Sequence, residues 1–342
     1  MKKIFAVFTL FAAMIFVVSC GGGSKTGDTS DTGEKGCSTQ KLCFGNICTG
    51  QDKCYDYENS EITCPAEGED FFGQDVQYQG VCIPQDFTVQ TISSQTVVLD
   101  NNTGLMWQQT IPTDIYKWDG AVSYCDSLKY AGYSDWRLPT PQELLTIVDN
   151  SKDYPAIDTS YFPDTPDHHF WSSSTNVDVD YTDYAWCVDF GDGRMDYHDK
   201  TIQYWVYVRC VRGATLPTGS FKSSTVHGDV IVTDRETGLI WQKTYVTDKI
   251  WQEALSYCET LTYAGYSDWR LPNKNELASL VNYKKYNPAS DFPDMPSIDS
   301  YFWSSSTFVC KTRKAWGVHF YSGRVYDQYR ENINRHSVRC VR

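Results

Sequence analysis

Asp178, Asp180 and Asp183 fall within the short stretch "VDVDYTD". Hard cations collect several oxygen ligands from one loop, so these three carboxylates are the chain's calcium candidate. The EF-hand spacing is not met, because no glycine stands where that loop must turn. The alternative reading is a solvated acidic loop. His168 and His169 are adjacent. Neighbours on an extended segment point to opposite sides, which makes them a poor metal pair. "FWSSST" supplies three serines at Ser172–Ser174 and again at Ser304–Ser306, yet no histidine accompanies both copies. An acyl-transfer site needs that base.

A second group is cationic. Lys284, Lys285, Lys311, Arg313 and Lys314 lie near Tyr286 and Phe308, and Arg324 follows. Charge captures an anionic polymer and rings stack on it, so this set is a candidate site for sulfated or carboxylated polysaccharide. A scattered solvated face, or docking on an acidic partner within the chain, are the alternatives. Residues 95–213 carry 8 basic and 18 acidic side chains, whereas residues 220–342 carry 16 and 13. The net charge of −13 argues against nucleic acid, which demands a dense basic face.

The chain has 13 cysteines. No C-x2-C pair suggests a metal. Cys54 and Cys64 flank a hairpin-like stretch and form the favoured pair near the N-terminus. Cys125 and Cys258 sit on predicted helices; Cys210 and Cys340 sit on predicted last strands. Cys125 is expected to join Cys210, and Cys258 to join Cys340. Cys187 and Cys310 occupy non-equivalent positions. They could bridge the two halves, stay as free thiols, or join other cysteines.

These residues sit in a duplicated framework. "YAGYSDWRLP" occurs unchanged at Tyr130–Pro139 and Tyr263–Pro272. "TGLMWQ" is matched by "TGLIWQ", "FWSSST" by itself, and "VRCVR" by itself. Five tryptophan pairs follow the same register, from Trp107/Trp241 to Trp186/Trp316, which is what a shared core requires. Two units of about 120 residues suit two tandem domains.

Each unit yields the same elements. "TVVLD" and "LMWQQ" flank "NNTG", a predicted hairpin. Trp118, Ala121, Val122, Cys125 and Leu128 keep a helical period, with Gly132 placed as its C-cap. In "DWRLP", Trp136 and Leu138 alternate with Asp135 and Arg137, as on a strand. Asp135 and Arg137 are expected to pair and anchor it rather than catalyse. Thr140, Pro141 and Glu143 read as a capping box opening a second helix, and Asn273 with Glu276 repeats it. The remainder reads as strands and hairpins.

With these motifs in hand, the sequence resembles two copies of the C-terminal domain of the Lcl adhesins, over residues of about 95–212 and 228–342. That resemblance implies an α+β fold: two tandem C-type-lectin-like domains, each with two helices and a mainly antiparallel sheet. Such folds also tie the first helix to the last strand by a disulfide, and their long loop region carries ligands. It implies binding or adhesion without chemistry and without a cofactor, to a polysaccharide or a surface protein. An enzyme of the formylglycine-generating-enzyme-like fold and a purely structural envelope protein are the competing readings. The calcium-binding tripeptides of sugar-binding lectins are missing.

The N-terminus adds a destination. Lys2 and Lys3 precede an apolar run from Ile4 to Val18, too short to span a bilayer. "VVSC" resembles a bacterial lipobox, implying lipidation at Cys20 and an outer-membrane or cell-surface protein anchored by lipid alone. The expected organisation is a signal peptide at 1–19, a flexible tether at 20–36, a Cys-rich segment at 37–86, and domains at 87–213 and 220–342.

Overall fold

The computed structural model describes residues 43–342, apart from 57, 59, 203, 204 and 331–333. The signal peptide, Cys20, the tether and the first residues of the Cys-rich segment lie outside the described residues. Among those described, no helix is long and apolar enough to cross a membrane.

The Cys-rich segment holds two short paired strands, β1 (Cys54–Tyr55) and β2 (Glu61–Ile62), cross-linked by Cys54–Cys64. Cys48–Cys82 closes a second loop. The first repeat runs β3 (Phe87–Ile92), β4 (Gln95–Asp100), β5 (Met106–Gln108), α1 (Trp118–Ser127), α2 (Pro141–Thr146), β6 (His169–Thr175), β7 (Tyr184–Asp189), β8 (Arg194–Asp199), β9 (Val206–Tyr207) and β10 (Val211–Arg212). The second runs β11 (Phe221–Val226), β12 (Asp229–Asp234), β13 (Ile240–Gln242), β14 (Val246–Lys249), α3 (Trp251–Glu259), α4 (Lys274–Ser279), β15 (Tyr301–Thr307), β16 (Lys314–His319), β17 (Arg324–Tyr329) and β18 (His336–Val338). The fold is mixed α+β, mostly antiparallel sheet with few helices.

The repeated decapeptide is a turn and a brace. Ala131 and Gly132 both have positive φ, as do Ala264 and Gly265. This allows the tight reversal that pairs Tyr130 with Tyr133 and Tyr263 with Tyr266. Gly132 therefore shapes this turn; α1 itself ends at Ser127, with Leu128 as its C-cap. Trp136 donates to the carbonyl of Tyr130, and Trp269 to that of Tyr263, each about 3 Å away. The expected strand at "DWRLP" shrinks to one bridge, Arg137 to Val211, mirrored by Arg270 to Val341. Its alternation holds, with Trp136 and Leu138 buried.

The Asp135–Arg137 pairing does not form. Arg137 instead makes two bonds to Glu143, at 2.6 and 2.7 Å, and Asp135 takes Arg212. Glu143 also accepts from the backbone N–H of Thr140, completing the capping box. Arg270, Glu276 and Asn273 reproduce this arrangement, and Arg342 takes Asp268. The helix start is thus locked to the strand before it. Arg212 also lies over Tyr133, and Arg342 over Tyr266.

Cys125 bonds Cys210 and Cys258 bonds Cys340, across sequence separations of 85 and 82. Replacing Cys258 and Cys340 together by alanine is expected to lower unfolding free energy by about 4 kcal/mol in the chain-entropy account. A denaturant midpoint unchanged from the parent chain would contradict this.

The two repeats are not independent beads. One nine-stranded sheet has the order β14-β18-β15-β16-β17-β8-β7-β6-β9. At its centre β17 pairs antiparallel with β8, Val325 opposite Met195. These occupy equivalent positions, so the repeats meet about a local two-fold axis. Their apolar cores merge there: Trp186, Met195, Tyr283, Trp316 and Val325 belong to one buried cluster. The Cys-rich segment clasps the same seam. Phe44 enters the shared core, and Gly45 approaches α4 so closely that a Cβ would stand 2.8 Å from Ser279 Oγ. Asn150 of the first repeat donates to Thr49, while Asn275 of the second donates to Ile47. Asp75 accepts from Thr49 and from Ser306.

Candidate functional site

The serines of "FWSSST" make a bulge. Between the pairs Trp171–Cys187 and Thr175–Ala185 the register slips, and the second repeat slips at the same place. Ser172 and Ser304 spend their hydroxyls on the carbonyls of Trp186 and Trp316. They are structural.

The acidic loop does not gather its carboxylates. Asp178 is buried, accepts from the backbone N–H of Asp180, and meets Tyr286 of the second repeat. Asp180 and Asp183 are exposed. Among the described residues the three do not form a ligand set. Asp178 instead orders its own loop.

The cationic set divides. Lys314 is bound to Asp327, and Arg324 reaches Asp196 of the first repeat at 3.2 Å. Arg194 returns the contact, 2.6 Å from Asp327. Arg324–Asp196 and Arg194–Asp327 cross the seam, whereas Lys314 pairs within its own repeat; of the cationic set, Arg324 makes the contact the docking alternative anticipates. Lys285 pairs with Asp291. Lys284, Lys311 and Arg313 are exposed, with no carboxylate partner among the described residues.

An open groove of about 1030 Å³ lies elsewhere on the second repeat. Lys243, Lys249, Tyr245 and Tyr263 line it, together with Asp229 and Asp294. Its wall includes β14, which has no counterpart in the first repeat. Lys243 pairs with an Asp294 that is 77% exposed, so the lysine is loosely held. Behind the groove Arg339 is fully buried over Phe292, and its guanidinium has no hydrogen-bond partner among the described residues. Its counterpart Arg209 donates to Gln108, Gln109 and Thr165. Burial pulls Arg339 down to about 9, leaving it charged at neutral pH. Sequence reading missed Lys243 and Lys249 because they adjoin a core strand, and only folding opens a groove beside them.

A further polar cluster sits on the first repeat. His169, Cys187 and His198 come from the neighbouring strands β6, β7 and β8. Their ligand atoms all lie within 4.8 Å of one another. The two imidazole centroids are 4.4 Å apart. Burial pulls both histidines below the usual range, which favours neutral imidazole, and pushes the Cys187 thiol well up. His168 points away, against Trp205 and Tyr207. Cys187 and Cys310 are both free, so the bridge considered between the repeats is not made. Cys187 lies against the Asp196 carbonyl, whereas Cys310 faces Asp153.

Comparison with known proteins follows the duplication. A family model described as the Lcl C-terminal domain matches residues 96–212 and again residues 230–342. No curated protein and no solved structure matches the chain.

Proposed function

We propose, from the premise that the chain belongs to the Lcl C-terminal domain family through both repeats, that it is a non-catalytic surface adhesion module for anionic polysaccharide. In this reading each repeat is a C-type-lectin-like unit, lipidation at Cys20 anchors the chain at the outer membrane or cell surface, and the second repeat carries the ligand. The observation that supports it most is the groove. Two lysines and two tyrosines share one open concavity, and the buried Arg339 adds positive charge beneath it. Exposed Lys284, Lys311 and Arg313 add to the positive character of the same repeat. Rings give stacking area and ammonium groups give capture, a combination suited to sulfated or carboxylated sugars.

The test uses the full mature chain on a heparin-like resin and in solution. Retention that weakens with salt is expected. Lys243→Glu with Lys249→Glu should weaken binding by about tenfold or more, roughly 1.4 kcal/mol. Lys117→Glu with Lys200→Glu in the first repeat should leave it unchanged. Absence of retention, or equal loss from both double variants, would overturn the assignment to this groove.

A further inference from the structure

We propose that His169, Cys187 and His198 form a binding site for a single borderline-soft transition-metal ion of the zinc class, present in the first repeat alone. Register dictates the juxtaposition. His169 pairs with Asp189, two residues from Cys187, and His198 pairs with Ala185, two residues away on the other side. Paired residues share a face, and so do positions two apart. Both imidazoles therefore stand on the face that carries Cys187 and lean toward each other across the central strand.

Two imidazoles and one thiolate suit zinc or copper and do not suit calcium or magnesium. Ligands at about 2.0–2.3 Å from a tetrahedral ion stand roughly 3.5 Å from one another. Turning the two histidine rings closes the remaining gap from 4.8 Å. Cys187 is fully buried and forms the floor, whereas the His169 side chain is 24% exposed, which gives an ion a way in and leaves a coordination position facing solvent. Asp189 Oδ2 stands 3.6 Å from His169 Nε2, where an outer carboxylate orients a ligand imidazole. Its other oxygen is fixed by the backbone N–H of Gly191.

The second repeat supplies an internal comparison. At the three equivalent positions it has Tyr301, Gly317 and Gln328. The scaffold thus does not need the His-Cys-His set in order to fold. The groove binding proposed above does not depend on this site, and either can fail alone.

The experiment takes the untagged mature chain with Cys310→Ser, which leaves Cys187 as the one free thiol among the described residues. Cobalt(II) is titrated in as a spectroscopic probe and then displaced by zinc(II). A thiolate-to-cobalt charge-transfer band saturating at one equivalent is expected. Adding Cys187→Ser should abolish the band. His198→Gln, the residue the second repeat uses, should weaken cobalt binding by about tenfold or more while near-UV circular dichroism stays that of the parent. Zinc should raise the melting temperature of the Cys310→Ser chain and not that of the Cys187→Ser chain. No band in the parent, a band that survives Cys187→Ser, or unchanged affinity in His198→Gln would each overturn the site.

Discussion

Glu276→Ala is expected to lower unfolding free energy by about 3–5 kcal/mol, enough to unfold a marginal domain. Glu276 is 1% exposed and Arg270 6%, and two charge-assisted bonds of 2.7 and 2.6 Å join them. Removing the carboxylate strands a guanidinium in the interior and also deletes the acceptor for the backbone N–H of Asn273. The equivalent Glu143→Ala should cost less, because Arg137 is 25% exposed and water can replace the lost partner. Arg270→Met with Glu276→Leu should recover most of the loss, since no charge is then left unpaired. Chemical denaturation of the four chains decides the matter. A double variant as unstable as Glu276→Ala would show that geometry, not the stranded charge, carries the cost.

The second large effect is a pH dependence set at the seam. Lys274 opens α4, is 1% exposed, and donates to Asn150 Oδ1 and the Gly193 carbonyl of the first repeat, both at 2.6 Å. Its ammonium lies 3.6 Å over Trp316. Burial pulls it from an ordinary 10.5 down to about 7, with Asp192 opposing. Between those values the unfolded chain holds a proton that the folded chain has released. Stability therefore rises with pH across that window, by about 2 kcal/mol from pH 7 to 9. Of the charged groups facing it, burial raises Asp192 to about 6, so it is ionised throughout, and Cys310 is pushed to about 12 and stays a thiol. Arg194 keeps its charge. Lys274→Met should remove this rise. Denaturant melts at pH 7 and 9 measure it, and parallel profiles for the two chains would refute the assignment.

Much of the framework was legible in the residues, for a physical reason. A capping box such as Thr140–Glu143 is a local pattern, and so is the helical spacing from Trp118 to Cys125. A duplicated sequence also states each core position twice. What could not be read was anything depending on how two repeats meet. "DWRLP" names an arginine and an aspartate, but the true partners, Glu143 and Arg212, are fixed by a helix start and a last strand. Arg324 looked like a surface cation because nothing local shows that β17 pairs with β8. His169 was set aside because its sequence neighbour points away. Its real companions lie across two strands, where spacing along the chain gives no hint.

The clasp has a mechanical consequence. Traction applied to the polypeptide at Cys43 does not reach the far edge of either repeat. It enters at the joint between them, through Thr49 and Ile47, which are bonded to the first and the second repeat respectively. Because Cys125–Cys210 and Cys258–Cys340 close most of each repeat into a loop, little slack can be drawn out before a covalent stop is met. A molecule strung this way passes force between its two repeats instead of yielding along its length.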